Sequence, residues 1–201
     1  MVRPRPNFEW QVMAVERIDR LLRTVTAALD DAGIRYAVIG GNAVATWVAT
    51  RDVGAVRATK DVDLLLRRED LAEAAAALAP HGLEQVEVLD LPVFVERDDP
   101  LPSQGVHIVL ANEPVRATDT RRAPDLSDVE RSPSGFLVLG LLPLVAMKLS
   151  AFRRVDQVHL EDLLRIGLID AKLAGRLPED LRQRLREVRD TMEWPGPPPV
   201  F

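Results

Sequence analysis

The stretch RATKDVDLLL, residues 57–66, decides the fold of this chain because it places two carboxylates directly in front of an apolar run. Asp61 and Asp63 precede three leucines, a pattern that predicts a buried strand. Side chains at positions i and i+2 of a strand point to the same face, so the two carboxylates should project together. Like charges so close repel, and a bound divalent cation is the natural group to offset that repulsion. The alternative is a solvated strand entrance at a sheet edge, since Asp-x-Asp by itself is a common pattern.

Composition and charge narrow the class of protein. The chain has 201 residues, 47% of them apolar, with a formal net charge of −5 and no cysteine. A sizeable core is therefore possible, a general nucleic-acid-coating role is disfavoured because it needs a basic surface, and disulfides and thiolate metal sites are excluded. The N-terminal segment lacks an apolar core of signal-peptide length, and no apolar run approaches the roughly 18 residues of a membrane span. We expect a soluble, cytoplasmic protein.

The first half of the chain alternates helical and strand patterns. The segment PNFEWQVMAVERIDRLLRTVTAALDDAG predicts a long amphipathic helix that stops at Gly33. IRYAVIGG then predicts a short strand ending in a glycine pair, and NAVATWVAT predicts a helix with Asn42 as its N-cap. After the strand at KDVDLLLR and an alanine-rich helix, the runs LEQVEVL, PVFVER and GVHIVLA predict three more short strands.

The second half is irregular at first and then helical. NEPVRATDTRRAPDLSDVERSPSG predicts irregular, partly exposed chain, and helices are expected at about residues 142–154 and 156–166, with a pair around residues 170–190. The predicted fold class is α/β (α+β), a mixed sheet flanked by helices in a domain over residues 1–135. A C-terminal helical module over residues 136–193 and a proline-rich tail over residues 194–201 follow.

A glycine pair strengthens the case for a metal and phosphate site. VIGGNAV puts Gly40 and Gly41 after a strand and before a helix. Glycine lets an anion approach the backbone closely, and the helix N-terminus supplies free N–H groups and the positive end of the helix dipole. Taken alone, the pair predicts only a tight turn between strand and helix. Together with the Arg-x-Thr-x-Asp-x-Asp pattern that follows it, the pair favours phosphate and metal chemistry.

The order strand, Gly-Gly, helix, loop and RATKDVDLLL resembles the nucleotidyltransferase fold of the DNA polymerase beta superfamily. More narrowly, the chain is similar to the minimal and AbiEii-type abortive-infection nucleotidyltransferase toxins and their uncharacterised relatives. LVAMKLSAFRRVDQVHLEDLLRIGLID resembles the helical region of that group. The resemblance covers about residues 20–170, and it is more specific for the fold than for the substrate.

The resemblance implies roles for individual residues. The aspartates would be catalytic and would bind Mg²⁺ or Mn²⁺, while the glycine pair and Asn42 would hold the phosphates of a nucleotide. Cationic side chains would counter the charge on the leaving pyrophosphate. The implied catalytic residues are Asp61 and Asp63, the implied substrate-binding residues are Gly40, Gly41, Asn42, Arg57, Thr59 and Lys148, and the implied metal ligands are Asp61, Asp63 and His107.

The third metal ligand departs from the family pattern. Such enzymes normally take a third carboxylate from a neighbouring strand, and in GVHIVLANEP the position facing the site is His107. Imidazole suits Mn²⁺ or Zn²⁺ better than Mg²⁺, and the change removes the obvious carboxylate base. The alternative is a half-buried strand histidine with one hydrogen bond. Glu96 and Glu113 are weaker substitutes for the missing carboxylate.

Lys148 lies in an apolar stripe of its helix and invites two interpretations. Its side chain could reach a triphosphate, or its stem could pack while its charged head stays in water. Arg153 and Arg154 are predicted to lie at the surface. His159 and Asp162 stand at i and i+3, and we expect a structural His–Asp pair that orients the helices against the sheet, with an acid–base role as the alternative. Trp10, Trp47 and Trp194 are predicted to pack rather than stack on bases.

The function that these patterns favour is metal-dependent transfer of a nucleoside monophosphate from an NTP to a hydroxyl group. The acceptor would be a protein, an RNA or a small molecule, and a toxin role would add an antitoxin partner. The alternative is a catalytically impaired protein that binds a nucleotide or another partner, which the histidine at position 107 supports.

Overall fold

The sheet is built around the strand that the Asp-x-Asp pattern predicts. The computed structural model describes residues 8–116 and 121–192, and within these residues the chain forms seven strands and seven α-helices. The strands are β1 Ala37–Val38, β2 Val62–Leu66, β3 Leu83–Val88, β4 Leu91–Glu96, β5 Val106–Leu110, β6 Val129–Arg131 and β7 Leu137–Leu139. The helices are α1 Phe8–Asp31, α2 Gly40–Ala49, α3 Leu71–Leu78, α4 Leu141–Ala151, α5 Arg154–Arg165, α6 Ala171–Gly175 and α7 Glu179–Thr191. Short 3-10 helices cover Val53–Ala55, Arg68–Asp70, Ala79–His81 and Pro102–Gln104.

The strand order is β3-β4-β5-β2-β1-β7-β6. β2 runs antiparallel to β1 and parallel to β5, and β1 runs parallel to β7. α1 packs against α3, whereas α2 packs against α4 and α5. The predicted mixed α/β sheet flanked by helices is confirmed.

The centre of the sheet is apolar and fully buried. The three leucines of β2 have no exposed surface, and they join one core with residues of β1, α1, α2, α4 and α5. This burial explains why a continuous apolar run follows the two aspartates, since a central strand is covered on both faces. In the parallel pair of β2 and β5, Asp63 stands opposite His107, so the sheet register itself brings these two side chains together.

Two strands lie where the sequence predicts none. β6 falls inside the segment expected to be irregular, and β7 lies just before the first helix of the C-terminal part and pairs with β1. The strand residues of β7 run into α4 through one unbroken apolar stretch, FLVLGLLPLV, so periodicity cannot show where strand gives way to helix at Gly140. The predicted boundary at residue 135 lies in the β6–β7 hairpin, and the division into domains stays a prediction.

The N-terminus of α2 also differs from the prediction. The helix begins at Gly40, with Ile39 in the N-cap position, so Asn42 lies in the first turn and is not the N-cap. The N-cap thus lies three residues earlier than predicted, and Gly40, the first residue of the helix, takes a left-handed φ of +65° that glycine adopts readily. The predicted stop of α1 is confirmed, since the helix ends at Asp31 and Gly33 follows with a φ of +71°.

The tryptophan prediction is confirmed where the structure describes it. Trp47 packs against the core and donates its indole N–H to the carbonyl oxygen of Leu139 over 3.0 Å. The side chain of Trp10, the residue Trp194 and the proline-rich tail lie outside the described part of the chain. None of the described helices combines the length and the apolar character needed to cross a bilayer.

Candidate active site

Two aspartates and a histidine form a cluster at the start of β2. Each of Asp61, Asp63 and His107 offers one ligand atom, and these atoms all lie within 4.8 Å of one another. Nδ1 of His107 lies 3.6 Å from Oδ1 of Asp63 and 3.8 Å from Oδ2 of Asp61. The three side chains are partly buried, and the shared face expected from the i, i+2 spacing is present. Two hard oxygens and one imidazole nitrogen at this spacing can hold a divalent cation.

A hydrogen bond on the side of the ring away from the carboxylates fixes the orientation of His107. Its Nε2 lies 2.9 Å from the carbonyl oxygen of Pro102, and because a carbonyl only accepts, Nε2 carries a hydrogen. In the neutral ring Nδ1 is therefore left with a lone pair that faces the two carboxylates. In the absence of a cation, the interaction with Asp63 raises the pKa of His107 to about 8, against the opposing effect of burial.

The electrostatics of the cluster favour an added positive charge. Burial raises the pKa of the Asp61 carboxyl, and the neighbouring charge of Asp63 raises it further, while His107 and Lys148 lower it. Carboxylates that are desolvated and close to each other resist ionisation unless a cation joins them. A divalent ion would supply positive charge that offsets the two carboxylates.

The glycine pair fits closely around the cluster. A Cβ atom placed on Gly40 would overlap the carboxylate of Asp63, and one placed on Gly41 would lie 2.6 Å from Cγ2 of Thr59. No side chain caps α2 at Ile39, so the N–H groups of its first turn have no acceptor within the helix. These N–H groups lie beside Asp63, where they could bind an anion that is also held by a cation.

Asn42 and Thr59, both predicted to bind substrate, are bonded to each other. The Thr59 hydroxyl donates to Oδ1 of Asn42 over 2.8 Å, and Nδ2 of Asn42 donates to the carbonyl oxygen of Asp61 over 2.8 Å. The two side chains thus tie the first turn of α2 to the loop that carries the aspartates. Their contribution in this structure is to hold the backbone at Asp61.

Arg57 is paired with a carboxylate of α5. Its guanidinium donates to both oxygens of Asp162, over 2.6 and 3.1 Å. The predicted His–Asp pair within α5 is therefore wrong, because Asp162 is used by Arg57. Asp162 still links the helical part to the loop before β2, which is the kind of structural role that was expected of it.

His159 lies against Gly41 without a hydrogen-bond partner for one ring nitrogen. Its Cε1 would be 3.7 Å from a Cβ atom on Gly41, and its buried Nδ1 has no partner among the described residues. Burial lowers the pKa of His159 to about 4, and the charge of Lys148 adds to that effect. The ring is thus neutral near pH 7.

Lys148 neither reaches open solvent nor stands free in the cleft. Only 7% of its side chain is exposed, and its Nζ lies 3.0 Å from Oδ1 of the buried Asp156. The snorkelling interpretation is wrong, because the charged head is buried with a counter-ion. A direct contact between Lys148 and a phosphate would require Nζ to turn away from Asp156 or to share its remaining hydrogens.

Asp156 is the residue at this site that the sequence analysis missed. It also accepts from the backbone N–H of Arg153 over 3.2 Å and from its Nε over 2.7 Å. Burial raises the pKa of Asp156, but the hydrogen bonds from Arg153 and the charge of Lys148 outweigh burial and hold it below its usual range. An acid at the third position of a helix is a capping signal that could have drawn attention to it.

None of the remaining predicted polar side chains is a member of the Asp61, Asp63 and His107 cluster among the described residues. Arg153 is 55% exposed and Arg154 is exposed, as predicted. Glu96 accepts from Arg17 and Glu113 from Arg68, each over 2.6 Å, so neither replaces the missing carboxylate.

No family model matches this chain, and no curated protein matches it. Among solved structures, it is similar to the antibiotic-resistance factor ANT(2'')-Ia in solution, with a TM-score of 0.47, 12% identity, and coverage of 89% of this chain and 85% of that one. The crystal structure of ANT(2")-Ia in complex with adenylyl-2"-tobramycin gives a TM-score of 0.47, 16% identity and coverage of 85% and 96%.

A third similar structure is the Megavirus polyadenylate synthase, with a TM-score of 0.40 and 10% identity over 94% of this chain and 35% of that one. With TM-scores below 0.5, these likenesses carry no argument about what this chain does. The narrower resemblance to AbiEii-type toxins finds no support among them and stays a prediction.

Proposed function

We propose that this chain is a metal-dependent nucleotidyltransferase that moves a nucleoside monophosphate from an NTP to a hydroxyl group. The observation that carries the proposal is the position of the Asp61, Asp63 and His107 cluster directly beside the uncapped first turn of α2. A site for a cation next to a site for an anion is what a metal–triphosphate ligand needs.

The two aspartates and His107 would hold Mg²⁺ or Mn²⁺. When bound, such an ion neutralises the triphosphate and polarises the phosphoryl group under attack. The N–H groups of Gly40, Gly41 and Asn42 would bind phosphate oxygens, and the missing side chain at Gly40 keeps Asp63 within reach of the same ligand. In-line transfer then depends mainly on positioning and on charge stabilisation.

The other predicted substrate-binding residues would act less directly. Thr59 would orient Asn42, and Arg57 would hold the loop before β2 through Asp162 unless a phosphate displaces that carboxylate. Lys148 would raise the positive potential around the phosphates from its buried position.

A nucleotide-binding protein with impaired catalysis is the second candidate function. It is favoured by one observation: an imidazole occupies the position where the resembling enzymes carry a third carboxylate. Such a protein would bind a metal–NTP complex at the same residues and transfer nothing.

One assay distinguishes the two candidate functions. The full chain is incubated with each α-³²P-labelled NTP, Mg²⁺ or Mn²⁺, and a cell extract that supplies acceptors, and label is followed on protein, RNA and small molecules. We expect transfer with at least one NTP, and loss of transfer in the Asp61→Asn/Asp63→Asn variant. Binding of NTP without transfer would establish the second candidate, and absence of both would overturn the proposal.

The acceptor class, the toxin role with its antitoxin partner, and the cytoplasmic location remain predictions. In the labelling assay the acceptor would be identified by the fraction that carries the label. A toxin role would appear as growth arrest on expression of the wild-type chain but not of the double aspartate variant.

A further inference from the structure

One buried carboxylate beside the candidate active site holds two cations. Asp156 has no exposed surface, yet it accepts from Nζ of Lys148 and from Nε and Nη2 of Arg153, over 3.0, 2.7 and 3.3 Å. One negative and two positive charges leave a net positive charge at this point. Lys148 and Asp156 neutralise each other in the interior, so the surplus positive charge lies on the exposed Arg153, where an anion can bind.

The two cations differ in what they can still contact. Lys148 is 7% exposed and directed at Asp156, whereas 55% of the Arg153 side chain is exposed. Among the described residues, Nη1 of Arg153 has no hydrogen-bond partner, so the outer edge of its guanidinium is open. The planar fork allows Arg153 to bind Asp156 with one edge and an oxyanion with the other.

The open edge of Arg153 belongs to the candidate active site. Arg153 is bonded to Asp156, which lies one turn before His159 on α5, and the His159 ring lies 3.7 Å from the position of a Cβ atom on Gly41 at the start of α2. The hydrogen bond to Asp156 raises the pKa of Arg153, and the charges of Asp61 and Asp63 add to that effect. Arg154, the next residue, bonds to Gln157 over 3.5 Å and does not contact Asp156. Sequence position alone would treat the two arginines alike.

We propose that Arg153, held in place by Asp156, binds the terminal phosphates of the donor nucleotide. The proposal rests on the nucleotidyltransferase function proposed above and reassigns the direct phosphate contact from Lys148 to Arg153. Lys148 fixes Asp156 from the buried side, and Asp156 is a positioning residue that orients the guanidinium. The ligand class is a metal-bound triphosphate, whose negative charge exceeds what the metal site and α2 would neutralise alone.

A plainer interpretation is that Arg153 and Asp156 only cap α5. Asp156 does accept from the backbone N–H at the start of that helix, as an acid at the third helical position often does. A cap needs no second cation and no open guanidinium edge. The two interpretations differ in whether removal of the Arg153 charge changes triphosphate affinity more than the affinity for a single phosphate.

The test uses the full chain, Mn²⁺, and two inorganic probes, tripolyphosphate and orthophosphate, with binding measured by isothermal titration calorimetry. Arg153→Gln is compared with Arg154→Gln, a matched change one residue away. We expect Arg153→Gln to weaken tripolyphosphate binding at least tenfold and orthophosphate binding less than threefold. Arg154→Gln should change both affinities less than twofold. Equal effects of the two variants, or no tripolyphosphate binding by the wild-type chain, would overturn the proposal.

Three further measurements keep the outcome independent of folding and of catalysis. Thermal unfolding shows whether Arg153→Gln remains folded, and Arg153→Lys, which restores a charge without the fork, should recover part of the tripolyphosphate affinity. Asp156→Asn should lower the ratio of tripolyphosphate to orthophosphate affinity, whereas a purely structural loss would leave that ratio unchanged. Because the probes require no transfer, a chain that binds tripolyphosphate through Arg153 but labels no acceptor would refute transferase activity and retain this inference.

Discussion

At the scale of single residues, the candidate site depends on the absence of a side chain at Gly40. Asp63 occupies the space where Gly40 would carry a Cβ atom, and Gly40 also has a left-handed φ of +65°. The glycine therefore does two things: it allows the turn into α2, and it lets a metal-binding carboxylate lie against the backbone that would bind phosphate.

These two roles of Gly40 can be separated by mutation. Gly40→Ala should abolish Mn²⁺ binding, or weaken it more than tenfold, because the added methyl group displaces Asp63. Gly33→Ala is the control: Gly33 has a similar φ of +71° but nothing within 4 Å of an added Cβ atom. Both variants should lose about 1 kcal/mol of stability from backbone strain. Calorimetric titration with Mn²⁺ checks the difference, and equal Mn²⁺ affinities in the two variants would contradict it.

The nitrogen ligand at position 107 predicts the metal preference. Mg²⁺ bonds oxygen and holds its waters tightly, whereas Mn²⁺ accepts mixed oxygen and nitrogen ligands. We expect Mn²⁺ to support more NTP binding and transfer than Mg²⁺, and metal binding to strengthen when a nucleotide is present. His107→Asp should shift the preference back toward Mg²⁺, as measured by the ratio of initial rates with the two ions. An unchanged ratio would mean that His107 is not a ligand and would strengthen the binding-protein alternative.

At the scale of elements, α5 connects the parts of the site. Asp156 on this helix holds Lys148 of α4, His159 lies against the first turn of α2, and Asp162 holds Arg57 of the loop before β2. These three residues are spaced three apart, so they share one face of the helix. α5 therefore holds Arg57 in the loop before Asp61 and holds the Lys148 cation of α4.

The Lys148–Asp156 pair gives an asymmetric prediction for stability. Asp156→Leu should cost about 3–5 kcal/mol, because it leaves the Lys148 charge buried without a partner and removes the cap of α5. Lys148→Met should cost less, about 1–2 kcal/mol, since Asp156 keeps Arg153. The double variant should be more stable than Asp156→Leu alone. Urea unfolding of the three variants checks the order, and equal losses from both single changes would contradict it.

At the scale of the whole molecule, the sequence predicts five of the seven strands in the described part of the chain and misses the β7–β6 end of the sheet. The apolar run of β2 and the i, i+2 spacing of Asp61 and Asp63 are local signals, and both predictions hold. β6 and β7 were not predicted, because three-residue strands carry no usable periodicity and their identity depends on pairing with distant chain.

The partners of charged side chains also could not be predicted from the sequence. Arg57 and Asp162 are 105 residues apart in sequence, and only the packing of α5 shows that they meet. Lys148 could be recognised as an unusual cation in an apolar stripe, but its burial on Asp156 follows from how α4 and α5 pack together. Residue type indicates that a charge needs a partner, and tertiary structure decides which one.

The packing of α5 on α2 predicts how the stability of the molecule depends on pH. His159 lies in this interface with its Nδ1 buried, and burial lowers its pKa to about 4 from about 6.5 in the unfolded chain. Above pH 6.5 the ring is neutral in both states and contributes no pH dependence. Below that value the unfolded chain takes up the proton first, so stability is lost as the pH falls from 6.5 toward 4.

We therefore expect wild-type protein to lose about 2–3 kcal/mol more than His159→Gln between pH 7.5 and pH 4.5, as measured by urea unfolding. Glutamine retains polar character and does not titrate, and the acid titration of all carboxylates is common to both proteins and cancels in the comparison. His107, whose pKa is raised, is also common to both proteins and contributes stability that is lost instead as the pH rises through about 8. Parallel pH profiles for the two proteins would show that His159 binds its proton in the folded state as readily as in the unfolded state. The α2–α5 interface would then have to admit water to that ring.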